Sequence, residues 1–131
     1  MNIAINNLQY KVSVPISKIQ SAVQLACRKL KFKIFDLSIV FVGEKRMRTL
    51  NREYLGHDYA TDVITFKHGE IIICPAAAAR NAKRFGNSVE WEMMLYVVHG
   101  ILHLCGYDDH KPADIQRMRK KEKEVLDSVQ T

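Results

Sequence analysis

The sequence predicts a sheet of four short strands with five helices packed on it, an α/β or α+β arrangement in a single domain. Runs of β-branched residues alternate with stretches in which apolar residues recur every three or four positions, the signatures of strand and amphipathic helix. Read along the chain, the order is strand, helix, strand, helix, strand, strand and then three helices, which calls for helices laid on a sheet. A length of 131 residues with 47% hydrophobic content is enough for a core that needs no disulfide or metal staple.

The alternation in "NIAIN" (2–6) reads as the first strand. Ile16, Ile19, Val23, Cys27 and Leu30 then recur at helical steps, with Ser13 or Ser17 as candidate caps and Pro15 near the first turn. "LSIVFV" (37–42) is a β-rich run closed by Gly43, and residues 44–54 place Met47, Leu50 and Tyr54 at helical spacing. "DVITF" (62–66) and "EIIIC" (70–74) are strands separated by "KHG", so they are antiparallel neighbours or consecutive edge strands. Pro75 opens the next helix, which stops at Gly86-Asn87. Ser88 caps a long helix through Leu104, and Gly106 is placed to end it in a left-handed turn. A last helix over roughly 113–128 carries Ile115, Met118, Val125 and Leu126 among many charges.

A net charge of +6 favours polyanions, with RNA or DNA as the natural partner. Cys27, Cys74 and Cys105 are odd in number and form no CxxC pair, which argues for a reducing compartment and hence the cytoplasm. No run approaches the roughly 18 apolar residues of a membrane span, and the N-terminus has no signal-peptide pattern, so no membrane association is expected.

The chemistry concentrates in "HGILHLCGYDDH" (99–110). Residues four apart on a helix lie one above the other, so His99 and His103 can grip one ion. After Gly106 the chain can turn back and present a third group, Asp109 or His110, to the same ion. Three protein ligands leave the fourth position of zinc for water, the arrangement of a catalytic site. Cys105 is a possible soft ligand, although within "LHLCGY" it reads better as a small buried hydrophobe. Where an HExxH metalloprotease carries its general base this chain has Gly100, which excludes peptide hydrolysis by that route.

The same stretch resembles the signature of the YbeY family, bacterial metal-dependent endoribonucleases of ribosomal RNA maturation, whose pattern is H-G-x-L-H-L-x-G-Y-D-H. "LNREYLGHDYATDVITF" (50–66) is similar to the family segment L-N-x-x-Y-R-x-x-D-x-x-T-D-V-L-S-F, and "GEIIIC" to its G-D-I-x-I strand. The resemblance implies a single α+β domain spanning 1–131, with a small mixed four-stranded sheet, about five helices and a zincin-like metal helix. It further implies one Zn2+ per chain and single-strand-specific cleavage of ribosomal RNA, including maturation of the 16S 3′ end, with ribosomal or assembly proteins as further partners. Two positions depart from the pattern. The third family histidine follows the glycine by three residues, where this chain has Asp109, and a histidine comes one residue later; the longer reach of an imidazole favours His110 as third ligand. Leu55 stands where the family commonly has an arginine thought to contact RNA phosphate.

The resemblance also sets Thr61 and Asp62 beside the metal cleft as catalytic candidates for positioning substrate or orienting water. Their structural alternative is a strand start in which Asp62 caps backbone amides. Arg52 and His57, with Arg80, Lys83 and Arg84 on one helix, are candidate RNA-binding residues. Glu92 and Tyr96 precede His99 and His103 by seven residues and share their face, but lie far along the helix. Two functions of different class fit these features: a zinc-dependent endoribonuclease, and a non-catalytic ribosome-assembly factor with a structural metal and an RNA-docking surface.

Overall fold

In a computed structural model, which describes residues 2–34 and 36–129, the chain runs β1 (Asn2–Asn7), α1 (Ile16–Lys29), β2 (Asp36–Phe41), α2 (Glu44–Leu55), β3 (Val63–Phe66), β4 (Glu70–Ile73), α3 (Pro75–Phe85), α4 (Val89–Leu104) and α5 (Pro112–Val129). The four strands form one mixed sheet in the order β1-β2-β4-β3, the expected α+β architecture. β1, β2 and β4 run parallel, and β3 closes the edge antiparallel to β4. "DVITF" and "EIIIC" are therefore antiparallel neighbours, joined by a tight loop over 67–69. Gly69 holds φ +110 in that loop, and a Cβ there would sit 2.6 Å from the Asp36 carbonyl oxygen, so only glycine fits.

Alternation along the strands divides the apolar residues between the two faces of the sheet. Leu37, Ile39, Phe41, Ile71 and Ile73 pack with α1, α4 and α5 in the larger cluster. Val42, Ile64 and Ile72 face the other way, against Met47 of α2. α4 is apolar nearly all round, from Met93 to Leu102, and a helix of that kind belongs at the centre of a domain. It touches α1, α3, α5 and the β3–β4 pair. Each large side chain it buries contributes roughly 1.5–3 kcal/mol. No helix among the described residues is long and apolar enough to cross a membrane.

The seat of α4 on the sheet is set at Gly100. A Cβ there would lie 2.8, 2.9 and 3.0 Å from the Cδ1, Cγ2 and Cγ1 atoms of Ile71, which is itself fully buried on β4. Both ends of α4 follow the sequence reading. The Ser88 hydroxyl accepts from the Trp91 amide at 3.0 Å. At the other end Gly106 takes φ +100, with Gly106 N–H donating to the His103 carbonyl and Tyr107 N–H to that of Leu102, both at 3.0 Å. These two bonds form a Schellman motif, which reverses the chain.

α1 departs from the expectation at its start. Neither Ser13 nor Ser17 caps it: Pro15 occupies the cap position without a side-chain bond, its carbonyl accepting from the Ile19 amide at 3.0 Å. Proline fixes the entry to the helix, and Ser17 falls inside the first turn, where it cannot cap. At the C-terminus Lys31, at φ 53, takes the left-handed position that glycine usually fills.

Replacement of Gly100 by alanine gains helix propensity of about 1 kcal/mol but forces a Cβ into Ile71. Gly100→Ala is expected to lower unfolding free energy in urea titration by up to about 2 kcal/mol net, and Ile71→Val in the same chain to restore part of the loss. A gain in stability from Gly100→Ala alone would contradict the close approach.

Candidate metal centre

The reversal at Gly106 brings the chain back beside the last turn of α4. His103 Nδ1 lies 3.1 Å from the carbonyl oxygen of Tyr107, and His99 Nδ1 lies 2.5 Å from Oε2 of Glu122 on α5. Both acceptors call for a proton on Nδ1, which leaves each Nε2 with its lone pair. The two Nε2 atoms are 3.0 Å apart, and each is 3.4 Å from Asp109 Oδ2. Two lone pairs and a carboxylate oxygen at such separations repel one another unless a cation lies among them.

The donor set fits a metal ion. Bonds of 2.0–2.1 Å in tetrahedral geometry require ligand atoms about 3.4 Å apart, close to the triangle of His99, His103 and Asp109. Two imidazoles and a carboxylate suit zinc and similar borderline metals. All three side chains are about a quarter to a third exposed, so one side of the triangle is open to solvent.

It is Asp109, and not the favoured His110, that the structure brings to the histidine pair. The turn at Gly106 returns the third residue after the glycine to the helix, and the fourth is carried past. His110 is 84% exposed and lies 3.4 Å from Asp108. Asp108, Asp109 and His110 make a second, more exposed group of possible ligands.

A cleft of about 420 Å³ opens beside the triangle, lined by His99, Asp109, Tyr96, Asp62, Glu122 and Arg119 among others. Asp62 enters it from the start of β3. The Asp62 carbonyl accepts from the Cys74 amide at 2.9 Å, and its Oδ1 accepts from its neighbour Val63 N–H at 2.8 Å. The capping expected of it is thus present, while its Oδ2 has no protein partner among the described residues. Thr61 donates weakly to Oδ1 at 3.4 Å. The loop before Thr61 is tied down by buried Asn51, whose Nδ2 donates to the Tyr59 carbonyl at 2.8 Å.

The cleft is electronegative. Burial alone would lower the His99 pKa, but the hydrogen bond and charge of Glu122, with Asp109 and Asp62 behind it, outweigh burial and raise it above the ordinary imidazole value. Tyr96 is pushed well above the usual phenol range, chiefly by burial, and its hydroxyl accepts from Asn81 Nδ2 at 2.6 Å. Glu92 does not line the cleft, and its Oε1 accepts from Asn87 Nδ2 at 3.0 Å. Cys105 is half-buried and lies outside the triangle.

None of the five expected RNA-binding residues lines this cleft. Arg52 sits 3.7 Å from Asp58, which Arg48 also engages, and His57 packs on Tyr59 with ring centroids 5.6 Å apart. Arg80 pairs with Glu44 at 2.9 Å, while Lys83 and Arg84 are exposed on α3. The sequence reading missed Glu122 and Arg119. Glu122 had a signal, because it falls four residues after Met118 and three before Val125, a carboxylate within the apolar stripe of α5. Arg119 had none among the dense charges around it.

Fold and cleft together define a small α+β protein in which three side chains that could hold a metal ion, His99, His103 and Asp109, gather at the mouth of a sheet-edge pocket. Residues 4–130 match the family described as Endoribonuclease YbeY, and the chain belongs to it. A protein of that name from Chlorobium phaeovibrioides is 36% identical over 133 residues, covering 96% of this chain and 89% of that one. Another, from Elusimicrobium minutum, is 36% identical over 129 residues, covering 86% and 90%. The solution structure of TM1509 from Thermotoga maritima superposes with a TM-score of 0.75 at 30% identity, over 97% of this chain and 88% of that one.

Loss of a carboxylate that orients a metal-bound histidine typically weakens metal affinity by about 10–100-fold. Zinc titration of Glu122→Ala is expected to fall in that range, with Glu122→Gln between it and the unaltered protein. Affinity within twofold of the unaltered protein would mean that Glu122 does not set the His99 ring.

Proposed function

We propose that this chain is a zinc-dependent endoribonuclease that cuts single-stranded segments of ribosomal RNA precursor, including the 3′ end of 16S ribosomal RNA. The observation that carries the reading is the convergence of His99, His103 and Asp109 on an accessible cleft, in a chain whose named relatives are endoribonucleases. Residues 1–131 act as one ribonuclease domain in the cytoplasm, with ribosomal RNA as the main partner and ribosomal or assembly proteins around it.

One Zn2+ per chain would be held by His99, His103 and Asp109, with His110 the alternative to Asp109. When bound, the ion supplies Lewis acidity to a phosphodiester oxygen and to the attacking water. Glu122 and the Tyr107 carbonyl keep both histidines in the tautomer that presents Nε2. Asp62 is the group suited to take a proton from water, because Oδ1 is fixed by the Val63 amide and Oδ2 has no protein partner among the described residues. Thr61 helps to orient that carboxylate. Gly100 faces the sheet, so no glutamate of the metalloprotease kind can stand in for Asp62. Outside the cleft, Arg52, His57, Arg80, Lys83 and Arg84 are exposed and suited to contact the RNA backbone.

The test compares Asp109→Ala with His110→Ala. Elemental analysis is expected to show zinc lost from Asp109→Ala and retained near one equivalent in His110→Ala, and cleavage of single-stranded ribosomal RNA fragments to follow the same order. The reverse order would make His110 the third ligand. Full activity in a metal-free preparation would remove the metal from the reading altogether.

A further inference from the structure

Arg119 is the only lysine or arginine lining the cleft among the described residues, and three of the other lining residues, Asp62, Asp109 and Glu122, are carboxylates. It is exposed and takes part in no ion pair with any of them. The other basic residues with acidic neighbours behave differently: Arg48 is held by Asp58, Arg80 by Glu44 and Arg117 by Asp114. α5 explains the placement. Ile115, Met118, Arg119 and Glu122 share one helix face at steps of three and four, so the residue that orients His99 and the unpaired guanidinium border the same space.

Charge balance shows what such a cation is for. Three carboxylates repel a phosphodiester, and a divalent ion among them leaves one negative charge over. Arg119 cancels that charge, and its planar fork of donors matches two phosphate oxygens at once, which a lysine ammonium does not.

We infer that Arg119 is the phosphate-binding residue of the cleft, seating a backbone phosphate of single-stranded RNA beside the metal ligands. The inference rests on the ribonuclease reading and extends it to a residue outside the histidine motif.

The experiment measures binding of a fluorescent, 2′-O-methylated phosphorothioate RNA oligomer to the zinc-loaded protein across a salt series. Each phosphate contact on a single strand contributes about 0.7 to the slope of log affinity against log salt. Arg119→Met is expected to lower the slope by roughly that amount and to raise KM for an unmodified RNA about tenfold, with zinc content and melting temperature unchanged. Arg119→Lys should keep the slope, since it keeps the charge, while still raising KM. Lys120→Met, which removes a neighbouring charge outside the cleft, should leave both values near those of the unaltered protein. An unaltered slope in Arg119→Met, or equal losses in Arg119→Met and Lys120→Met, overturns the assignment while leaving the ribonuclease reading intact. An unaltered protein that neither binds nor cuts RNA overturns that reading and this inference with it.

Discussion

Helix α4 can rest on β4 at its observed depth because residue 100 has no side chain, and the position of the whole site depends on that contact. With Ile71 filling the space where a Cβ would stand, the face of α4 that carries His99 and His103 is turned toward the end of β3 and toward α5. Asp62 and Glu122 then reach the same cleft from two different elements. The constraint also accounts for the chemistry that is absent. In an HExxH enzyme the residue after the first histidine is the general base; here that position is pressed against the sheet, so a base must come from elsewhere. Asp62, which lines the cleft with one carboxylate oxygen free of protein partners among the described residues, is the base proposed for it.

Around the histidines the balance is electrostatic. Carboxylates at Glu122 and Asp109 raise the affinity of His99 for positive charge despite its burial, and the carbonyl of Tyr107 fixes His103 from the outside. Either a proton or a metal ion can satisfy such a site. The near-tetrahedral spacing of three ligand atoms favours the metal, because one proton can be shared by only two of them. The cost of gathering this negative charge falls on the substrate, which is itself an anion, and the cleft answers it with one unpaired arginine.

Much of the fold was legible because the physical signals were local. Strand runs, the Ser88 cap and the glycines at 86 and 106 all act within a few residues of themselves, and each element they bound is present. The exit from α1 was not legible, since Lys31 adopts a left-handed conformation that nothing in its neighbourhood announces. The same division holds in the site. His99 and His103 follow from helical periodicity, whereas the choice between Asp109 and His110 turns on the geometry of a reversal that spacing cannot resolve to one residue. Arg119 and Glu122 come from the far end of the chain, and only the packing of α5 on α4 brings them in. Tyr96, judged too far along the helix, reaches the cleft because the pocket extends along α4 as well as beyond it.

The site works only if His99 and His103 both present Nε2 inward, with Nδ1 protonated and held by Glu122 and the Tyr107 carbonyl. Long-range proton–nitrogen NMR of the histidine side chains, recorded before and after addition of one equivalent of zinc, reads this directly. Expected are Nδ1–H tautomers for both rings, with their Nε2 resonances moving together to metal-bound positions while His110 stays near its free value. Protonation of Nε2 on either ring in the zinc-loaded protein, or a zinc-dependent shift at His110 without one at both partners, would contradict it.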